Sequence, residues 1–450
     1  MKKKILIIPV EIFARELISK LLIAKYAIAN NFIVYLGSHN SIKLLLKSKE
    51  NKSGIIICKG GVSKDYLDLI KKKISYHIVL DEELAPERDN YKDNIKFRFD
   101  LENKKNISYF FVLNNKIKTI AKKVFSKNET KIYSFGWPRF DLYKKIVKKI
   151  FKDDISKIKK KYNKFILINS DFFYTDFNSN NEINREIKKL KNIGKEYFNS
   201  KKQINDRIMI EKKRYKKQKI EFNLFIDKIK KISEISKFKL ILRSHPAENE
   251  NNYKKIFSNN KKIIVKAGKD DVTPYIMASK GVLHKGCTTG YQAILLGKKI
   301  GFIKLGLYTN NLVKYKKILL KKSFKIKNQK DFLKWISNKK DLGNSLKLSS
   351  DIRKELNIDK ELASKKIVNF IKKLNLRKEH KLNISLLKYL RIFFLDLFIL
   401  FFRKKSYFEK NNFFLKDFNF KQKILSLSHF SSDKLTVRFL TKNLVELTYD

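Results

Sequence analysis

The chain has little cysteine, proline, glycine or arginine and no long apolar run. Two cysteines in 450 residues, Cys58 and Cys287, exclude a disulfide framework and a metal knuckle and point to a reducing compartment. No stretch reaches the roughly 18 to 20 apolar residues that span a bilayer. The nearest, residues 392–402 (IFFLDLFILFF), is interrupted by Asp396 and flanked by Arg391 and Arg403. The amino-terminal apolar run ends at Glu11, too early for a signal-peptide core, and fits the first strand of a Rossmann-like domain instead. Of the 103 basic residues only 13 are arginine, and the formal net charge is +59. Proteins that read bases favour arginine's planar fork. Lysine, isoleucine, asparagine and phenylalanine are abundant while proline, glycine and arginine are scarce, the mark of an A/T-rich coding sequence. A lysine-covered surface with weak attraction to anionic membranes is therefore expected, without a specific nucleic-acid site.

What is present is ample for folding: 43% of residues are hydrophobic, and the length suits two domains plus a tail. Up to about residue 135, short β-rich runs (5–10, 32–36, 55–58, 76–80, 110–112 and 131–135) alternate with helical spacing, which predicts a parallel sheet covered on both faces. A second series follows, with strands at 165–169, 238–242, 263–265, 282–284 and 300–303 and long charged helices across 182–236. Helices from 329 to 374 close it. The expected domains are 1–150, 151–375 and a basic, apolar tail at 376–450. No internal repeat has a fixed period.

The densest cluster of signals is GVLHKGCTTGYQAILLGKKIGFI, residues 281–303. A buried strand ending at His284 leads through Lys285, Gly286, Cys287, Thr288, Thr289 and Gly290 into a helix. Bare backbone N–H groups at such a junction suit an anion, although an ordinary helix start has the same form. Seven of the fourteen glycines lie between Gly268 and Gly306, marking tight turns or close approach. Cys287 has no nameable base partner and is not read as a nucleophile. Arg243, Ser244, His245 and Pro246 follow another strand, where Arg243 and His245 can meet the charge of a diphosphate. Glu248 can accept from a sugar hydroxyl. In the first domain Glu11, Arg15 and Glu16 follow one strand and Asp81, Glu82 and Glu83 another. A carboxylate there can deprotonate an acceptor, and helix starts also collect acids for dipole reasons. No acidic cluster has metal-cage spacing. Gly136, Trp137, Pro138, Arg139, Phe140 and Asp141 form a turn read as an interdomain hinge, with Arg139 and Asp141 paired.

These segments, in order, resemble the bacterial surface carbohydrate biosynthesis proteins, glycosyltransferases of GT-B type that are distantly similar to CDP-glycerol glycerophosphotransferases and capsule Kdo transferases. Gly136–Asp141 is similar to Gly-x-Pro-Arg-x-Asp. Arg243–Glu248 is similar to Arg-Pro-His-Pro-Ser-Glu, with Ser244 and Ala247 as departures, and His284–Gly290 to His-Asn-Gly-Cys-Thr-Thr-Gly, with Lys285 for Asn. The resemblance covers about residues 5–310. It implies an α/β, GT-B-like fold: two facing Rossmann-like doubly wound domains, here with a helical carboxyl-terminal appendage. It further implies a nucleotide-sugar donor held by the second domain and a lipid-linked or polysaccharide acceptor held by the first. No cofactor and no metal are expected. Glu11, Glu82 or Glu83 is the expected base. Arg243, His245, Glu248 and residues 284–290 form the expected donor site, and the location is the cytoplasm at the inner face of the membrane. A CDP-polyol phosphotransferase of the same fold, or a binding protein without turnover, is the alternative.

Overall fold

The computed structural model describes residues 2–82, 92, 95, 98–99, 101–144, 148–177, 180–197, 200–246, 248–305, 317–338, 350–376, 378, 390, 394, 419–427 and 431–450. The chain forms two compact units, one of residues 1–152 and 348–450, the other of 153–347.

The first unit carries an eight-stranded sheet in the order β13-β14-β2-β1-β3-β4-β5-β6. Its strands are β1 (Lys4–Val10), β2 (Phe32–Ser38), β3 (Ile55–Cys58), β4 (Tyr76–Leu80), β5 (Tyr109–Val112), β6 (Lys131–Ser134), β13 (Leu435–Thr441) and β14 (Leu444–Tyr449). β1 to β6 are parallel. Continuous runs such as Lys-Ile-Leu-Ile-Ile-Pro-Val in β1 are buried on both faces because helices such as Phe13–Ile28 cover them. β2 lies on one side of β1 and β3 on the other, so the strand order reverses between β1 and β3, where open α/β sheets hold ligands at the strand carboxyl ends.

The second unit carries a six-stranded, fully parallel sheet in the order β12-β11-β10-β7-β8-β9. It comprises β7 (Phe165–Asn169), β8 (Lys239–Arg243), β9 (Ile263–Lys266), β10 (Val282–His284), β11 (Ile300–Ile303) and β12 (Phe324–Ile326). Counted from β7 this is the doubly wound order 3-2-1-4-5-6, whose reversal falls between β7 and β10. The charged segment before β8 folds as helices Asn181–Tyr197 and Lys201–Ile235. Phe222, Phe225, Ile229 and Ile232 of the longer helix pack on Ile166, Ile168, Leu240 and Leu242, so these residues define one face of the sheet. Both units are thus Rossmann-like α/β layers.

The carboxyl-terminal expectation is corrected. Helix Ala363–Lys372 packs on Phe13–Ile28 in the first unit instead of closing the second. Residues 431–450 form an antiparallel hairpin, not a helical appendage, and β14 pairs with β2. The physical reason is the edge of β2, all of whose residues are buried. Leu444, Val445 and Leu447 cover that edge, and Tyr35 donates a 2.9 Å hydrogen bond to buried Glu446. The apolar run 392–402, save Phe394, lies outside the described residues. Among the described residues no helix is long and apolar enough to cross a membrane.

Candidate functional site

Parallel register sets Asn169 of β7 beside Arg243 of β8 and beside His284 of β10. Side chains alternate along a strand, so these three lie on the face opposite Ile168, Leu242 and Leu283, at the carboxyl ends of β7 and β10, which flank the reversal, and of β8 beside them. Asn169 is only 3% exposed, yet among the described residues neither its amide oxygen nor its amide nitrogen has a partner. Arg243 is also buried. One terminal nitrogen donates to the backbone oxygen of Asp270 and stands 3.4 Å from its carboxylate, which accepts from Tyr275 at 2.8 Å. Among the described residues the Nε of Arg243 has no acceptor, and the buried hydroxyl of Thr273 has no partner. Buried polar groups are almost always satisfied, which makes this cluster the candidate site of the second unit.

Glu248 does not reach for a ligand hydroxyl. Its buried carboxylate accepts from the Ser170 hydroxyl, the Phe172 and His245 backbone N–H groups and the Tyr253 hydroxyl. That set ties the loop after β7 to the loop after β8. Burial pushes the carboxyl up to about 7, against donors that favour its ionised form. His245 is half-buried, and its backbone N–H is shared between Ser170 and Glu248.

Several residues of the 284–290 loop are likewise committed internally. His284 is fully buried. Its Nδ1 accepts from Gly286 N–H at 3.0 Å, which leaves Nε2 to donate to Ser323 Oγ at 2.9 Å, and Ser323 donates onward to Leu319 O at 2.7 Å. Lys285 turns inward, donating to Asp171 O at 2.9 Å, 3.7 Å from Glu221 and over the Phe172 ring. The two residues expected to hold a donor are instead braces, because a buried cation or imidazole is stable only when paired. Gly286 has φ +107°, which favours glycine. At Gly290 a Cβ would lie 2.6 Å from Leu319 Cδ1, so apolar packing requires that glycine. Cys287 is buried against the Thr289 hydroxyl, and Thr288 and Thr289 are half-buried at the start of helix Thr289–Leu295.

In the first unit, Glu11 follows β1 at the reversal and its side chain is 51% exposed, 3.4 Å from Lys59 after β3. Glu16 is fully buried between Lys20 at 2.6 Å and Lys59 at 2.9 Å. Burial works to raise its pKa, and the two lysines overcome it, holding the carboxyl well below the usual range. Glu82 is buried too, and burial raises its carboxyl while Arg139 and Lys20 pull the other way. Glu83 lies outside the described residues. Among the described residues Arg139 and Asp141 form no ion pair. Asp141 accepts from Ala363 N–H, Ser364 N–H and the Ser364 hydroxyl, capping helix Ala363–Lys372 within the same unit. Gly136, at φ +87°, lies against Ala363 and Asn357.

Sequence reasoning did not single out Asn169, Ser170, Lys20 or Lys59. A lone asparagine in an asparagine-rich chain carries no signal until register sets it beside Arg243.

No protein-family model matches the chain, and no curated protein matches it. Among solved structures it is similar to a UDP-GlcNAc 2-epimerase from Methanocaldococcus jannaschii in complex with UDP-GlcNAc and UDP. That match has 14% identity over 82% of this chain and 99% of that one, with a TM-score of 0.44. It is similar to S. aureus MnaA bound to UDP, at 12% identity over 83% and 96% with a TM-score of 0.45. A third likeness is to the wall teichoic acid polymerase TagF, at 13% identity over 82% and 88% with a TM-score of 0.45.

Proposed function

We propose that the chain is a glycosyltransferase that takes its sugar from a nucleotide-sugar donor and passes it to a polysaccharide or lipid-linked acceptor. The observation that carries this reading is the unsatisfied pair Asn169 and Arg243 at the strand-order reversal of the second unit. A donor offers both chemistries they lack: diphosphate oxygens for the Arg243 Nε–H, and hydroxyls that give and take hydrogen bonds for the Asn169 amide. The ordered motifs around 136–141, 243–248 and 284–290 support the same reading.

In this scheme Glu11, the half-exposed carboxylate that follows β1, takes the proton of an acceptor hydroxyl. The oxygen attacks the anomeric carbon as the bond to the diphosphate breaks. Arg243 and His245 meet the charge that grows on the departing nucleotide. Glu248 is a positioning residue, holding His245 through its backbone. The reaction uses no metal, so chelator leaves turnover unchanged.

The test is a thermal-shift panel of nucleotide sugars and CDP-linked polyols on the full chain and on Asn169→Leu. A bound donor raises the melting point by mass action. The variant removes a buried, unpartnered amide, so it melts no lower than wild type yet loses the donor shift. A panel with no shift, or an equal shift in both proteins, defeats the assignment. A shift and turnover with CDP-polyols alone replaces sugar transfer by phosphopolyol transfer.

A further inference from the structure

Arg139, just after β6, is 4% exposed, and its Nε and one terminal nitrogen have no acceptor among the described residues. The carboxylates nearest in sequence or space are committed. Asp81 pairs with Arg98 at 2.6 Å, and Asp141 caps helix Ala363–Lys372. Among the described residues Glu82 accepts one hydrogen bond, from the Arg139 backbone N–H at 3.4 Å. Trp137 fixes the segment by donating to Asp81 O at 2.7 Å.

The surroundings are rich in buried cations. Lys20 and Lys59 are buried and share the Glu16 carboxylate, and Lys59 also lies 3.4 Å from the half-exposed Glu11. Burial raises the Glu82 carboxyl, while Arg139 and Lys20 pull it the other way. Glu11, Lys59, Glu82 and Arg139 follow β1, β3, β4 and β6, and Glu16 and Lys20 lie on the helix after β1. All gather at the carboxyl ends of the first sheet, beside its own reversal. Guanidinium N–H groups kept out of water without an acceptor are unfavourable, and an anion with planar or tetrahedral oxygens supplies what they lack.

We propose that the carboxyl-end crevice of the first unit is a second anion site, in which Arg139 receives a phosphate or carboxylate carried by the acceptor. That the anion belongs to an acceptor rests on the donor assignment of the second unit. The anion site itself stands on the first unit alone.

The experiment is calorimetric titration of the full chain with inorganic phosphate and, separately, acetate, in salt high enough to screen the lysine surface. Arg139→Met and Arg139→Lys are compared with Lys280→Gln, a change at an exposed lysine of the second unit. Wild type and Lys280→Gln bind one of the two probes saturably, and Arg139→Met weakens it about tenfold or more. Ligand-free Arg139→Met melts at or above the wild-type temperature, and its nucleotide-sugar shift is unchanged. Phosphate without acetate binding identifies a phosphorylated acceptor, and the reverse an acidic one. The proposal is overturned if neither probe saturates, or if Arg139→Met binds as wild type. It is also overturned if that variant melts lower with unchanged affinity, which would make the guanidinium structural. Should Arg139→Met not fold, Arg139→Lys decides by the same affinity criterion, because it keeps the charge and loses the fork. Loss of nucleotide-sugar shifts with anion binding intact would remove the donor assignment and leave this site standing.

Discussion

Glu248 gathers four donors from two loops and a helix around one buried carboxyl group, and its protonation links that arrangement to pH. Its pKa, raised from 4.5 to about 7, lies above its value in the unfolded chain. Its contribution is therefore complete below about pH 4.5 and is lost as pH rises through about 7, a total on the order of 3 kcal/mol. Glu248→Gln stays neutral and removes this slope. Denaturant unfolding of both proteins from pH 4.5 to 8 should show the variant gaining on wild type as pH rises, and parallel curves would refute the linkage. His77 acts with the opposite sign. Burial lowers its imidazole to about 4, so stability is lost as pH falls below its ordinary 6.5. That is why the prediction is a difference between two proteins. At the same scale, the donor and anion assignments each rest on single unsatisfied side chains, Asn169 and Arg139, whose replacement by apolar residues separates binding from folding.

Among the secondary-structure elements, the terminal hairpin has the largest consequence. Leu444, Val445 and Leu447 of β14 are wholly buried, and each such side chain stabilises by roughly 1.5 to 3 kcal/mol. Removing residues 431–450 also uncovers the backbone of β2, a long apolar edge prone to pairing with other chains. The truncated chain should lose the cooperative melting of its first unit and aggregate. An unchanged melting curve would show that the hairpin is dispensable. A basic tail that only touches lipid is thus excluded for 431–450, since those residues are part of the sheet. By contrast, the strands β3, β4, β7, β10 and β11 are legible in sequence to the residue, because each is a short, continuous apolar run. β12, Phe-Lys-Ile, carries a charged residue at its centre and shows no apolar run. β13 and β14 are hidden because the strand that anchors β14 to the sheet, β2, lies some four hundred positions away in the chain.

For the whole molecule, the two units differ in how the chain builds them. The second is one continuous segment, 153–347, with its own apolar core, while the first needs residues from both ends of the chain. Expressed alone, 153–347 should fold cooperatively and keep the nucleotide-sugar shift, as Asn169 and Arg243 both belong to it. A fragment that stays unfolded by circular dichroism would refute its independence. Residues 1–152 alone should not fold, for they lack β14 and helix Ala363–Lys372.

Local pattern determined the strand-helix alternation, the two parallel sheets and the loops at strand ends, because apolar periodicity and punctuation act over a few residues. Tertiary structure alone decided which polar residues in those loops brace the protein and which are left open. His284, Lys285 and Glu248 look like ligand contacts in the sequence and are satisfied inside the fold. Asn169 and Arg139 acquire their meaning only from neighbours distant in the chain. Hydrogen bonding and charge pairing depend on three-dimensional proximity, and a residue's type does not record whether a partner will reach it.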